Sequence, residues 1–251
     1  MKRPHIIKIL RILRRAYGAP PRRPGSDPID EIVRTILSQN TSDKNSLAAF
    51  AVLKKSFKSW EALLNTPTGR VARLIRHAGL ANVKAKRIRD VLSRIRDREG
   101  EKGKNKDGKY GKDGKDGKDG KDGEGKISLD FLAGMDVKDS LECLMTLKGV
   151  GPKTAACVLL FSFGKPVMPV DTHIYRVSKR LGLIPKDLSI EGAHQLLSDI
   201  VPKNLIYDFH LGIIEHGRKT CKAQNPRCGV CLLYSLCRFE DRALYKTVMR
   251  Y

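Results

Sequence analysis

Near the carboxyl end, CKAQNPRCGVCLLYSLC holds four cysteines in the spacing Cys221-x6-Cys228-x2-Cys231-x5-Cys237. Thiolates this close together bind metal. Structural zinc usually uses two close cysteine pairs, and only Cys228 and Cys231 form one here. Four thiolates in one short irregular loop suit an iron-sulfur cubane, in which each iron takes one ligand. The spacing therefore favours a 4Fe-4S cluster, with zinc and disulfides as the alternatives. Arg218 and Lys219 stand just before Cys221, and Lys222 and Arg227 lie between Cys221 and Cys228, so the same loop is basic enough to follow a phosphate backbone.

A second group of residues sits upstream. In LKGVGPKTA, Gly149-Val150-Gly151 separates two apolar stretches by a very short turn, and Pro152 suits the first position of the following helix, where its missing N–H is not needed. A helix, a glycine turn and a second helix leave backbone N–H groups pointing outward, which makes an anion site. In a basic chain the matching anion is a nucleic-acid phosphate. Lys153 opens the second helix. A lysine amine can attack a sugar C1′ and form a Schiff base, which opens the way to elimination. On spacing alone, such a lysine is an ordinary solvated side chain. Asp171 precedes Thr172-His173-Ile174 and reads first as a helix N-cap. A carboxylate fixed there can also stabilise a developing positive sugar centre or take part in proton transfer. His173, beside Ile174 and Val177, reads as structural.

These groups need a scaffold, and the pattern around them is helical almost throughout. Apolar residues at a 3.6-residue period mark helices at 30–37 and 44–57, and further helices are expected at 59–64, 68–77, 83–98, 128–132, 137–146, 152–162, 172–181, 189–198 and 203–217. No alternating strand pattern competes, which excludes a Rossmann-type nucleotide site. The amino end, MKRPHIIKILRILRRAY, carries Ile6, Ile7, Leu10 and Leu13 as a helical stripe. Lys8, Arg11, Arg14 and Arg15 interrupt it too often for a signal peptide. A reducing compartment follows, with Cys143 and Cys157 as free thiols. No apolar run is long enough for a membrane span.

Lysine and arginine number 49 against 27 acidic residues, a formal net charge of +22, so a polyanion is the expected partner. Residues 101–125 repeat Asp-Gly-Lys and nearly cancel their own charge. The basic character therefore belongs to the rest of the chain. The repeat has no branched aliphatic residue with which to offset its ordering entropy, so it is expected to be a mobile loop. Its carboxylates lack the ligand pattern of a calcium loop.

Three motifs occur in order: LKGVGPKTA at 147–155, VDTHIYRVSKRLGL at 170–183 and HGRKTCKAQNPRCGVCLLYSLC at 216–237. On these motifs the chain resembles the endonuclease III branch of the helix-hairpin-helix DNA glycosylases, from about Asp27 to Cys237, with the repeat as an added loop. The cysteine spacing is the one that family uses, so the resemblance implies a 4Fe-4S cluster on Cys221, Cys228, Cys231 and Cys237. It also implies Lys153 as the Schiff-base lysine and Asp171 as the catalytic aspartate. The implied fold is all-α with two helical domains. One is a six-helix barrel at 22–165 that carries the hairpin and the 101–125 loop. The other is a discontinuous cluster domain built from 1–21 and 166–251, with substrate held in the cleft between the two.

The stretch LSQNTSD at 37–43 is similar to the family's loop that fills the gap left by a flipped nucleotide, which makes Gln39 or Asn40 the gap-filling amide. Asn40 falls where bacterial members have glutamine. Lys148 stands where the family commonly has proline and is expected to add a phosphate contact. With Gly149, Gly151, Arg218 and Lys219, these residues form the expected DNA-binding set.

The implied activity is bifunctional: removal of oxidised pyrimidines from duplex DNA, then β-elimination at the abasic site. A mismatch-specific thymine or uracil glycosylase is the alternative. An adenine glycosylase usually lacks the hairpin lysine and has a further carboxyl-terminal domain, for which only 14 residues follow Cys237. A non-catalytic DNA clamp would not need Lys153 and Asp171 together. The expected protein is an intracellular monomer on double-stranded DNA, cytoplasmic or nucleoid-associated if prokaryotic, with no membrane association.

Overall fold

The computed structural model describes residues 2–20, 25–102 and 126–246. Almost all of the Asp-Gly-Lys repeat therefore lies outside the described residues. Among those described, every regular element is an α-helix or a 3-10 turn. The all-α expectation holds. The chain divides into two compact units, Ser26–Val158 and Met1–Gly25 with Leu159–Tyr251.

The first unit contains α2 (Pro28–Ser38), α3 (Asp43–Ser56), α4 (Trp60–Leu64), α5 (Thr68–Leu74), α6 (Ala81–Lys102), α7 (Val137–Met145) and the start of α8 (Pro152–Phe163). Side-chain caps set most of the helix starts. Asp27 Oδ1 accepts from the Asp30 amide at 2.8 Å, Ser42 and Ser59 cap α3 and α4, and Asp136 Oδ1 accepts from the Asp139 amide at 2.8 Å. Each such cap contributes about 1 kcal/mol. Helix α2 packs on α3 and α6, and α5 packs on α3 and α6. Ile32, Ile36, Leu37, Leu53, Ile88 and Leu92 are fully buried in this unit. Fully burying such a side chain is worth about 1.5–3 kcal/mol.

Two expected helices differ in detail. The 68–77 stretch breaks at Ile75 into a 3-10 turn, Arg76–Ala78, because Gly79 follows with φ +68° and the ladder cannot continue. The 128–132 stretch is a 3-10 turn at Asp130–Gly134, too short to close an α-helical ladder.

The second unit contains α1 (Lys2–Tyr17), the rest of α8, α9 (Thr172–Arg180), α10 (Ile190–Ile200) and α11 (Ile206–Lys219), followed by the cysteine loop. Helix α1 turns Ile6, Ile9, Leu10 and Leu13 inward against α11 and leaves Arg11, Arg14 and Arg15 exposed. Their approach is close at Gly212, where a Cβ would lie 3.4 Å from Leu13 Cδ1. Helix α11 also packs on α9 and so joins the cysteine loop to the segment that carries Asp171. No helix among the described residues is long and apolar enough to cross a membrane.

Candidate active site and cluster loop

Helix α7 stops at Met145, and the chain turns through Leu147–Gly151 on a 2.9 Å bond from the Val150 amide to the Leu147 carbonyl. Gly149 has φ +98°, a conformation that side chains disfavour, and a Cβ there would lie 2.7 Å from Arg87 Cγ. Only glycine fits both constraints. A Cβ on Gly151 would meet nothing within 4 Å, so that face of the turn is open to an approaching ligand. Pro152 begins α8, Lys153 is half-buried in its first turn, and Thr154 is buried behind it. The early amides of α8 have no intrahelical acceptor, so the helix end is electropositive. Lys148 is exposed on the turn.

Two further loops of the same unit stand together. Asn40 follows α2, is exposed and has φ +50°; Leu80 precedes α6, is 58% exposed and has φ +48°. Left-handed backbone costs about 1–2 kcal/mol for such residues. The two loops are neighbours, since a Cβ on Gly79 would lie 3.8 Å from the Asn40 carbonyl oxygen. Lys84 lies beneath them, fully buried, with Nζ donating to Leu37 O at 2.7 Å and Ala78 O at 2.6 Å. These carbonyls end α2 and the Arg76–Ala78 turn, so one ammonium satisfies helix ends that would otherwise be orphaned. Burial pushes the Lys84 amine below its ordinary value. Gln39 is half-buried, and its Oε1 accepts from Arg87 Nη1.

Leu80, Lys84 and Arg87 were not singled out from the sequence. A signal was present for Lys84, which stands four residues before Ile88 and thus on the apolar stripe of α6. Leu80 signalled weakly, as an apolar residue after Gly79 and outside that stripe.

In the other unit, Asp171 is the N-cap of α9, with Oδ1 accepting from the Ile174 amide at 2.7 Å. The approach to it is fixed on several sides. Ser198 Oγ accepts from the Met168 amide at 2.9 Å, His194 Nδ1 lies 2.9 Å from Met168 O, and His210 Nδ1 lies 3.0 Å from Pro169 O. The carboxylate is thus held at the end of a tethered segment. His173 packs against Gly217, where a Cβ would lie 2.9 Å from His173 Cβ, and its Nδ1 lies 3.1 Å from Arg176 Nη2. Burial pushes this histidine below its ordinary value, opposed by the Asp171 charge. It is a packing residue of the α9–α11 contact.

The cysteine loop is fastened to α9 by arginines. Arg176 donates to Cys221 O and Gly217 O, each at 3.0 Å, and Arg180 donates to Lys222 O at 2.7 Å. Cys221, Cys228, Cys231 and Cys237 are all free thiols and line one cavity with Val177, His216 and Leu233. Burial, reinforced by neighbouring sulfurs, pushes Cys231 up to about 11 and raises Cys228 and Cys237. Four thiolates crowded together repel one another and are stable as anions only around a multivalent cationic core. The donor set fits an iron-sulfur cluster for that reason. Arg180 Nη1 at 3.3 Å from Cys221 Sγ and the Phe239 amide at 3.4 Å from Cys237 Sγ are the kind of donors that stabilise cluster thiolates. Among the described residues, no three His, Cys, Asp or Glu side chains converge closely enough to hold a single metal ion. Arg218 and Lys219 are exposed at the end of α11, and Lys219 pairs with Glu215 at 2.6 Å.

A glycine hairpin between two helices, followed by an iron-sulfur loop, defines a helix-hairpin-helix protein with a cluster module. Comparison with known proteins agrees. Residues 33–203 match the HhH-GPD superfamily base excision DNA repair protein family, and residues 221–237 match the iron-sulfur binding domain of endonuclease III. The chain is 33% identical to the endonuclease III of Thermotoga maritima over 86% of its own length and 85% of that protein. It is 32% identical to a putative DNA glycosylase of Arabidopsis thaliana over 77% of its length, spanning 58% of that longer protein. Among solved structures, a trapped endonuclease III–DNA covalent intermediate superposes with TM-score 0.73 at 26% identity, covering 97% of this chain and 99% of the other. A thermostable thymine-DNA glycosylase, at 21% identity and TM-score 0.66, shares the fold. The chain belongs to the HhH-GPD superfamily of base excision DNA repair proteins, in its endonuclease III-like branch. It carries a 4Fe-4S cluster.

Proposed function

We propose that the protein is a bifunctional DNA glycosylase and AP lyase that removes oxidised pyrimidines from duplex DNA. The observation that carries this reading is Lys153, half-buried in the first turn of α8 directly after the open face of the hairpin at Gly151. An amine there stands beside backbone donors suited to a phosphate, so a bound duplex brings its sugar–phosphate chain to the nucleophile. The endonuclease III relative at 26% identity is described as a trapped covalent intermediate with DNA, which matches an amine nucleophile.

The nucleotide is turned out of the stack, and Lys153 Nζ attacks its C1′. The C1′–N bond breaks and the base leaves with a proton. The sugar ring opens to an imine on Nζ, the C2′ proton is lost, and the C3′–O bond breaks to release the 3′ phosphate. Water then frees the lysine. Asp171, held by its cap bond, stabilises positive charge developing at the sugar and assists proton transfer. Asn40 and Leu80 suit insertion into the emptied stack, since an exposed apolar side chain beside an exposed amide can wedge a base step and meet the orphan base. Lys148, Gly149, Gly151, Arg218 and Lys219 serve the phosphates. Cys221, Cys228, Cys231 and Cys237 hold the cluster. When bound, the cluster supplies the cross-links that a short loop without a core of its own lacks.

In this reading Ser26–Val158 is the helix-hairpin-helix barrel, and the second unit is the cluster domain. The enzyme acts as a monomer inside the cell. Borohydride trapping on duplexes containing thymine glycol, uracil, a G:T mismatch or an abasic site tests the assignment. An adduct formed fastest on thymine glycol and lost in Lys153→Gln is the expected result. An undiminished adduct in Lys153→Gln would place the nucleophile elsewhere, and a preference for G:T or uracil would make this a mismatch glycosylase.

A further inference from the structure

Arg87, on α6 one turn beyond Lys84, touches two sites far apart in the sequence. Its stem lies flat under the hairpin, so that a Cβ on Gly149 would come within 2.7 Å of its Cγ and 2.9 Å of its Cδ. Its Nη1 donates to Gln39 Oε1. One side chain thus links the hairpin turn to the loop that follows α2. Gln39 cannot leave this position without giving up a hydrogen bond to a charged donor, the stronger kind. Asn40, its neighbour, is exposed with left-handed backbone. A short amide on a strained, fixed backbone loses less side-chain entropy on entering a stack than a glutamine released from an arginine would.

We propose that Arg87 is a positioning residue that couples the hairpin to the gap-filling loop, holding Gln39 as an anchor and presenting Asn40 as the amide that enters the emptied base stack. The proposal rests on the glycosylase reading only in taking this loop to meet an unpaired base. Its purpose is geometric. A hairpin bound to one phosphate and an amide directed at one base step must keep a fixed separation, and a planar guanidinium braced against Gly149 supplies that spacing.

The test uses a duplex with 2-aminopurine opposite tetrahydrofuran, an abasic-site analogue on which no bond is made or broken. The fluorescence change at saturating protein reports entry into the stack. The parent protein should give a clear change, and Asn40→Ala should lose it. Arg87→Met keeps the stem against Gly149 and removes the guanidinium, and Gln39→Met removes its acceptor. Each should weaken the change several-fold, and the double variant should be no worse than either single one. Affinity of Arg87→Met for undamaged duplex should stay within about twofold. Arg87→Lys keeps the stem and the charge without the planar fork; it should give a partial signal, and it serves in place of Arg87→Met should that variant not fold.

Four results would overturn the proposal. Loss of signal in Gln39→Met with retention in Asn40→Ala would make Gln39 the inserted residue. Additive effects of Arg87→Met and Gln39→Met would deny the coupling. A uniform fall in affinity in Arg87→Met, with the salt slope reduced by about one and the saturated signal intact, would make Arg87 a phosphate contact. A silent parent would likewise count against it. An intact signal together with no borohydride adduct on any duplex would overturn the lyase reading and leave this proposal standing.

Discussion

Lys84→Met removes an ammonium buried beneath both exposed loops while keeping a stem of similar length. In the folded chain Nζ donates to Leu37 O at 2.7 Å and to Ala78 O at 2.6 Å. Hydrogen bonds to a charged group contribute about 1.5–3 kcal/mol each, so about 3–6 kcal/mol is lost, along with the satisfaction of two buried carbonyls. Against this, the variant no longer takes a cation out of water, which returns part of a penalty of several kcal/mol. We expect a net destabilisation of about 2 kcal/mol, or roughly 4–8 °C in Tm for a chain of this size. The pH dependence has a definite sign. Burial holds the folded-state value below that of a free lysine, about 10.4. Beneath that ordinary value the unfolded chain binds more protons than the folded one, so this group's contribution to stability rises with pH and is lost as pH falls through the folded value. The Tm gap between parent and variant should therefore widen as pH rises toward the ordinary lysine value, measured without oxygen to spare the cluster. Single-turnover base release at a temperature where the variant stays folded should fall at least about tenfold, because Asn40 and Leu80 lose their common support. A variant as stable as the parent, or a gap that narrows as pH rises, would refute the reasoning.

Asp171→Asn should keep Tm close to the parent's, since asparagine caps nearly as well, while single-turnover base release falls by about a hundredfold or more. Unchanged turnover with a lowered Tm would reduce this carboxylate to a cap. Cys228→Ser should lose the broad absorbance near roughly 400 nm and hold fewer than about four irons per chain, measured by spectroscopy and iron assay. Leu80→Gly should leave stability within about 1 kcal/mol, because relief of the left-handed strain offsets the added freedom of the unfolded chain. Base release should fall in the same variant if this side chain wedges the stack.

The local chemistry of the chain was legible in its sequence. Asp171 reads from its neighbours as an N-cap and accepts the Ile174 amide, and the same local chemistry operates at Asp27, Ser42, Ser59, Asp136 and Ser189, each of which caps the helix that follows it. The short glycine turn before Pro152 and the four-cysteine spacing are equally local, since their meaning depends on neighbours a few residues away. What tertiary structure decided is which polar side chains turn inward and what they meet. Lys84 sits on a stripe that a sequence reading assigns to apolar residues; its place there makes sense only once the ends of α2 and of the Arg76–Ala78 turn converge on one point. The union of Gln39, Arg87 and Gly149 spans more than a hundred residues, and the glycine it requires at 149 reads in sequence as a plain turn residue. Periodicity fixes the face a residue occupies because one helix sets it. The partner across that face is set by several helices packing at once, and no single stretch of sequence contains that information.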